Sequence, residues 1–166
     1  MEISIGNEKC LILYKIPLKI RPYIPSDKAA VLHLFDLNTP QFFDETEKAG
    51  LFSYLENEVE DYFVVEEKDK LIGAGGINYE LQAKTAVISW DIIAPTHHGE
   101  GIGRKLMKHR IEFIRKKADI DKIVVRTSQH TYLFYEKMGF KLLEVKKDYW
   151  AEGFDLYYME QPTKKD

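Results

Sequence analysis

Ile92-Ile93-Ala94-Pro95-Thr96-His97-His98-Gly99-Glu100-Gly101-Ile102-Gly103-Arg104-Lys105 is the stretch on which the reading of this chain turns. An apolar run stops at Pro95, glycines alternate at 99, 101 and 103, and a stripe of Leu106, Met107, Ile111 and Ile114 follows at helical spacing. That order predicts a strand, a tight turn and a helix. Glycine lets backbone N–H groups converge with no Cβ in the way, and a helix start adds partial positive charge. Together they make a cradle for a pyrophosphate. Arg104, Lys105 and Lys108 point the same way, because cations near a helix start oppose its dipole and call for an anion. A plain strand-to-helix connection with solvated basic residues competes with this account, and three glycines alone do not decide between them. The turn is not a Walker loop, since no Gly-Lys-Ser/Thr closes it. Nor is it the dinucleotide fingerprint, since its third glycine comes one residue early and no βαβ unit surrounds it.

Working outward, Leu18 to Arg21 alternates like a half-buried strand. Ser26 or Asp27 reads as an N-cap before a helix with Ala30, Val31, Leu34 and Leu37 on its apolar face, ended by Asn38-Thr39-Pro40. A second helix is expected from about Thr46 to Val59, burying Leu51, Phe52 and Leu55. Tyr62–Glu66 and Leu71–Ile77 flank a hairpin turn, and a third strand spans Thr85 to Ile93. Beyond the glycine turn and its helix, Lys122–Arg126 reads as a strand buried on both faces. A short helix over His130–Met138 stops at Gly139, and Phe140–Val145 and Phe154–Met159 close the chain as strands. The result is an α/β chain of the α+β type, a mixed sheet with about four helices packed on it.

The chain has 166 residues, 24 Lys plus Arg against 27 Asp plus Glu, and a formal charge of −3. This length suits one domain, here 18–166, with 1–17 as an N-terminal extension or extra edge strand. The acidic balance argues against nucleic acid as a partner, which needs a basic surface. No signal peptide and no apolar stretch of membrane-spanning length is expected, so the chain reads as cytoplasmic with no membrane partner. A single cysteine, Cys10, leaves no disulfide and no multi-cysteine zinc site. His97 and His98 are adjacent and point apart on a turn, and no Cys or third His sits at metal-ligand spacing. His33, His109 and His130 fall on expected helices. No metal is expected, and a homodimer is compatible with the sequence.

At His98-Gly99-Glu100-Gly101-Ile102-Gly103 the chain resembles the GNAT superfamily of acetyl-CoA-dependent N-acetyltransferases, whose loop reads Gln/Arg-x-x-Gly-x-Gly/Ala. His98 departs from the usual Gln or Arg. Downstream, Ser128 to Phe140 is similar to the family's Asn-x-x-Ala-x-x-x-Tyr before Gly-Phe: Tyr135, Gly139 and Phe140 match, while Ser128 and Thr131 replace Asn and Ala. The resemblance covers roughly Leu18 to Met159 and implies the family's fold, a mostly antiparallel sheet with a parallel pair at the cofactor cleft.

It also implies transfer of acetyl from acetyl-CoA to a primary amine by direct attack. The pyrophosphate would lie on His98, Gly99, Glu100, Gly101, Ile102, Gly103 and Arg104. The pantetheine arm would pair along Ile92 and Ile93, where a backbone N–H faces the thioester oxygen, with Ser128 either bonding the arm or capping the following helix. Tyr135 takes the place of the family's general acid. Asp91, between Trp90 and Ile92 on the strand entering the cleft, is a candidate general base, or it pairs with a neighbouring base or caps a loop, and alternation would put Ser89 on its face. Glu80 or a water chain could replace it. For the acceptor, Phe42, Phe43, Asp44, Glu45, Glu47, Tyr79, Glu80, Tyr149, Trp150 and Phe154 offer aromatic walls and acidic charge suited to a cationic amine. Two other classes stand beside this reading: an acyl-CoA-binding regulatory module without transferase activity, and a small phosphate-binding enzyme using the same turn.

Overall fold

A computed structural model describes residues 17–164. The expected N-terminal extension, Pro17 apart, and Cys10 lie outside the described residues. Seven strands form one sheet: β1 (Lys19–Pro22), β2 (Asp61–Glu67), β3 (Lys70–Glu80), β4 (Thr85–Ile93), β5 (Lys122–Thr127), β6 (Lys141–Ala151) and β7 (Phe154–Pro162). Their order is β1-β2-β3-β4-β5-β7-β6, and every pairing is antiparallel except β4 with β5. Four α-helices accompany it: α1 (Lys28–Leu37), α2 (Lys48–Asn57), α3 (Ile102–Arg115) and α4 (Tyr132–Lys137). This is the mixed, mostly antiparallel sheet expected from the sequence.

Alternation along β2 sorts the helices onto two faces. Tyr62 meets Tyr54 of α2, and the next residue, Phe63, meets His109 and Phe113 of α3 from the other side. β5 is covered on both faces, with Ile123, Val124 and Val125 buried in succession. On α3 the expected stripe is buried: Leu106, Met107, Ile111 and Ile114.

Several local expectations are corrected. The buried face of α2 is Leu51, Tyr54 and Leu55, whereas Phe52 is 49% exposed with the Lys28 ammonium 3.7 Å above its ring. Residues i, i+3 and i+4 share a helix face, and 52 sits a quarter-turn off it. On α1 Phe35 is buried and Leu37 is half exposed. Asp27 does not cap α1; its carboxylate accepts from the Ile24 N–H and from Arg21, which also holds Glu66. Arg21 keeps the Asp27 carboxyl below its ordinary pKa. His130 lies in the turn before α4 rather than on it. β6 runs to Ala151, well past Val145, with register breaks after Leu142 and Lys146. Those breaks and its lysines guard an otherwise exposed edge strand.

β3 carries Gly73-Ala74-Gly75-Gly76 through the middle of the sheet. A Cβ on Gly76 would run into the Tyr62 ring and the Tyr54 hydroxyl. Gly50, exposed on α2, would meet only the Trp90 ring at 3.6 Å. Gly76→Ala should therefore cost about 1–3 kcal/mol through overpacking. Gly50→Ala should gain about 0.5–1 kcal/mol from helix propensity. Urea unfolding of the two variants checks both signs.

Candidate functional site

The sheet opens along its parallel pair. β4 and β5 pair at four positions, from Thr85↔Lys122 to Ile88↔Val125, and then part. β4 continues to Ile93 alongside β3 only, and β5 continues to Thr127 alongside β7. The Ala94 N–H donates to Ile72 O, so by alternation the Ile92 amide belongs to the β3 ladder and the Ile93 amide faces the opening. Ile93 O confirms that direction, since it accepts from Asn38 Nδ2 at 3.0 Å and lies 2.9 Å from His98 Nε2.

A bulge on β4 starts the divergence. Gly76 opposes Ser89 and Ala74 opposes Ile92, which leaves Gly75 facing both Trp90 and Asp91. Trp90 has φ +47°, a left-handed backbone that a bulky residue rarely adopts. Its ring is held among Phe35, Phe43 and Tyr54, and the Tyr62 hydroxyl donates to its carbonyl at 3.1 Å. The extra residue also overturns simple alternation. The Ser89 hydroxyl turns to Asn78 Oδ1, which the Tyr54 hydroxyl also reaches, on the α2 side. Asp91 emerges toward α3 and α4.

There Asp91 meets two partners. Its Oδ1 is ion-paired with Nη2 of Arg110, a guanidinium that is 1% exposed and whose Nη1 donates to Gly76 O at 3.1 Å. Its Oδ2 accepts the Tyr135 O–H at 2.5 Å. A Cβ on Gly75 would collide with Asp91 Oδ1 and the guanidinium, so glycine is needed for the pair to fit. Burial, the Asp91 charge and the hydrogen bond to it push the Tyr135 phenol well above its ordinary pKa, with Arg110 pulling the other way. The geometry thus pairs Asp91 with a neighbouring basic residue, Arg110.

The turn before α3 has the conformation its glycines suggest. Gly99 and Gly101 adopt φ +81° and +79° with open space around both, so they are required for backbone angle. Gly103 lies against the Phe134 ring, where a Cβ would meet it at 3.5 Å, an ordinary contact. No side chain caps α3, which leaves the N–H groups of Ile102, Gly103 and Arg104 without intrahelical acceptors beside exposed Arg104 and Lys105. Glu100 is exposed on the same turn. His97 and His98 do point apart: His97 reaches Glu67 at 3.3 Å, and His98 bonds Ile93 O with its ring against Phe42. Because a carbonyl only accepts, Nε2 of His98 carries the proton. The imidazole is thus engaged with the strand end through Nε2.

Ser128 does not cap α4, which starts four residues later at Tyr132; its hydroxyl accepts from the His130 N–H at 3.3 Å and shapes the turn. Glu80 and Tyr79 are corrected more strongly. They pair with Thr85 and Ala86, so Glu80 sits six residues along β4 from Asp91, about 20 Å away. Tyr79 bonds Asp61 there. At the open end, by contrast, the Trp150 indole N–H donates to Thr127 O at 3.2 Å, and Gln129 holds Gly153 O and the Asp155 N–H. These bonds fasten the β6–β7 hairpin end beside the parting strands.

Arg110 and Asn38 are the functional-site residues that sequence reasoning missed. Arg110 had a signal, since it sits four residues after Leu106 and four before Ile114, inside the apolar stripe. Asn38 was read only as the end of α1, and nothing in the sequence ties it to Ile93. Among the described residues no group of three or more potential metal ligands gathers, and no helix is long and apolar enough to cross a membrane.

The family model of the acetyltransferase (GNAT) family matches residues 30–140. A comparison with curated proteins finds no match. Among solved structures, a chain from Desulfovibrio desulfuricans described as of the GNAT family superposes with a TM-score of 0.75 at 20% identity, over 89% of this chain and 100% of that one. The ribosomal-protein-S18-alanine N-acetyltransferase of Escherichia coli gives 0.73 at 17% identity, over 90% and 96%. A Salmonella typhimurium structure with its cofactor acetyl-CoA gives 0.68 at 17% identity, over 90% and 96%. At these identities the likeness is one of fold.

Removing one member of a buried pair strands the other. Arg110→Met should cost about 3–5 kcal/mol, and combining it with Asp91→Leu should recover most of that loss. Denaturant midpoints of the single and double variants measure the difference.

Proposed function

The chain belongs to the acetyltransferase (GNAT) family, and from that premise we propose that it moves an acetyl group from acetyl-CoA to a primary amine by direct attack. The observation that carries this reading is the opening between β4 and β5 beyond Ile88 and Val125, set beside an uncapped helix start behind two left-handed glycines. The N–H groups of Gly99, Gly101, Ile102, Gly103 and Arg104 would hold the pyrophosphate, with the Glu100 N–H turned to His97 O on the same turn, and the exposed Arg104 guanidinium would add charge to them. The free edge of β4 at Ile93 would receive the pantetheine arm, while Ile92 faces β3 and the Ser128 hydroxyl, which accepts from the His130 N–H, keeps its O–H to donate.

When bound, acetyl-CoA supplies a thioester whose carbonyl carbon accepts the amine and whose sulfur leaves. Ile93 is the residue whose N–H is turned to this opening, and a preorganised donor at an acyl oxygen is worth about 2.7–4 kcal/mol in the transition state. Tyr135 keeps its proton because its phenol is held well above the ordinary pKa, and it is the group that delivers a proton to the leaving sulfur. The amine nitrogen gives its own proton to solvent, and Tyr135 regains one from solvent. Asp91 is already committed to Arg110 and Tyr135, which supports a water path over a carboxylate base. Direct attack is favoured because no described serine hydroxyl pairs with an imidazole.

A cationic acceptor fits the surroundings. Half-buried Phe42, Phe43 and Trp90 line the α1–α2 side with half-buried Glu47 nearby in sequence, and the hairpin end with Tyr149, Trp150 and Phe154 closes the other. Asp44 serves chiefly to cap the turn before α2, and Glu45 is exposed.

Acetyl-CoA and CoA should each raise the melting temperature, by about 2.7 kcal/mol of stabilisation at ~100 times Kd, whereas ATP with magnesium should not. Gly101→Val should lose the coenzyme shift and keep the fold. No shift with any CoA species would overturn the assignment. Tyr135→Phe should lower kcat by ~10²–10⁴ in a thiol-release assay with a panel of primary amines, with a much smaller change in coenzyme affinity.

A further inference from the structure

Arg110 is a full charge in the core of the sheet–helix sandwich, and stability does not explain it. A buried ion pair replaced by apolar side chains of equal volume is often no less stable. Yet the surroundings are built for this one. Gly75 lacks the Cβ that would displace it, Gly76 O accepts from Nη1, and the β4 bulge delivers Asp91 to Nη2. Nε has no acceptor, so the guanidinium is spent on Asp91 and one carbonyl. Asp91 in turn uses its second oxygen on Tyr135.

The direction of that last bond depends on charge. A carboxylate only accepts, so an ionised Asp91 fixes the Tyr135 proton along the line between the two oxygens. A protonated Asp91 would donate, and the phenol would turn to accept. Arg110 takes the opposite oxygen of this carboxyl from Tyr135 and so holds it in place between β4, α3 and α4.

We propose that Arg110 is a positioning residue: its ion pair with Asp91 holds that carboxylate in place, withholds it from acting as the amine's base, and makes it the acceptor that anchors the Tyr135 hydroxyl beside the β4–β5 opening, from which the O–H turns to the sulfur as the thiolate leaves. The proposal rests on the reading of Tyr135 as the group facing the reacting sulfur. The charged groups acting on Tyr135 are Asp91 from β4 and Arg110 from α3. β3 contributes only glycines at this point, and the rings of Phe134 and Phe140 complete the surroundings.

The test has two arms. In the free protein, tyrosine labelled with carbon-13 at Cζ is titrated by NMR, with Tyr135 assigned from the signal missing in Tyr135→Phe. Asp91→Asn removes the charge that helps to raise the phenol while burial remains, so Tyr135 should begin to ionise at a lower pH than in the wild type. An unchanged Tyr135 titration in Asp91→Asn would overturn the proposal. In the second arm, thiol release from acetyl-CoA is followed with a panel of primary amines. Asp91→Asn should lower kcat by about 10–100-fold, less than loss of a full general acid, with KM for acetyl-CoA nearly unchanged. The alkaline fall of kcat should move to lower pH and the acid limb should stay. Disappearance of the acid limb would make Asp91 the base and sink the idea. Arg110→Lys, which keeps the charge and folds more safely than Arg110→Met, should retain more turnover than Asp91→Asn; equal loss would overturn the role given to the cation. A wild type inactive with every amine would refute the transfer reading, and the tyrosine titration would still decide whether Arg110 and Asp91 orient Tyr135.

Discussion

At Trp90 the β4 backbone takes a left-handed step, and one residue of β3, Gly75, then faces two of β4. A bulky residue in that conformation costs on the order of 1–3 kcal/mol unless its surroundings impose it. Here they do: three aromatic rings grip the indole, and Tyr62 takes its carbonyl. The step swings the end of β4 away from β5, so the parallel pair lasts four residues and then opens. It also moves Asp91 to the opposite side of the sheet from Ser89. The opening and the polar group beside it therefore share one origin.

A second constraint follows from burying Arg110. Its charge is compatible with the core only where a carboxylate, a carbonyl and an absent Cβ coincide, and those come from β4, Gly76 and Gly75. Such an arrangement adds little net stability, because desolvation offsets the attraction. What it provides is a single permitted geometry for Asp91 and, through it, for the Tyr135 hydroxyl. The glycine-rich middle of β3, which weakens a strand in isolation, makes room for this pair on one face and for Tyr54 and Tyr62 on the other.

Ile93 is pinned from two directions. Asn38 bonds both Leu34 O and Ile93 O, joining the end of α1 to the end of β4. His98 adds a second bond to the same carbonyl from the turn leading into α3. The strand edge and the turn that precedes the uncapped helix start are thereby held as one piece, which suits a surface that must meet both ends of an extended ligand without reorganising.

Element order, the glycine turn, the α3 stripe and the doubly buried β5 were all legible in the sequence, because each rests on local periodicity or on backbone freedom at one residue. So was the glycine motif, where Gly99 and Gly101 take the left-handed backbone that glycine allows. What could not be read locally were the relations across strands. Alternation placed Asp91 with Ser89, and a bulge specified by the packing of Trp90 against α1 and α2 reversed it. Glu80 looked close to the site until register set it at the far end of β4. His98 looked free, and Asn38 looked like a mere helix end, until folding brought Ile93 O between them. Arg110 broke its own apolar stripe in plain sight, but its partner lies on another element, nineteen positions earlier in the chain. The sequence by itself determined which elements form and where the glycine turn leads into a helix, since those depend on neighbours along the chain. Only the tertiary structure decided which side chains face one another, since that depends on register and on a bulge whose cause is packing between distant segments.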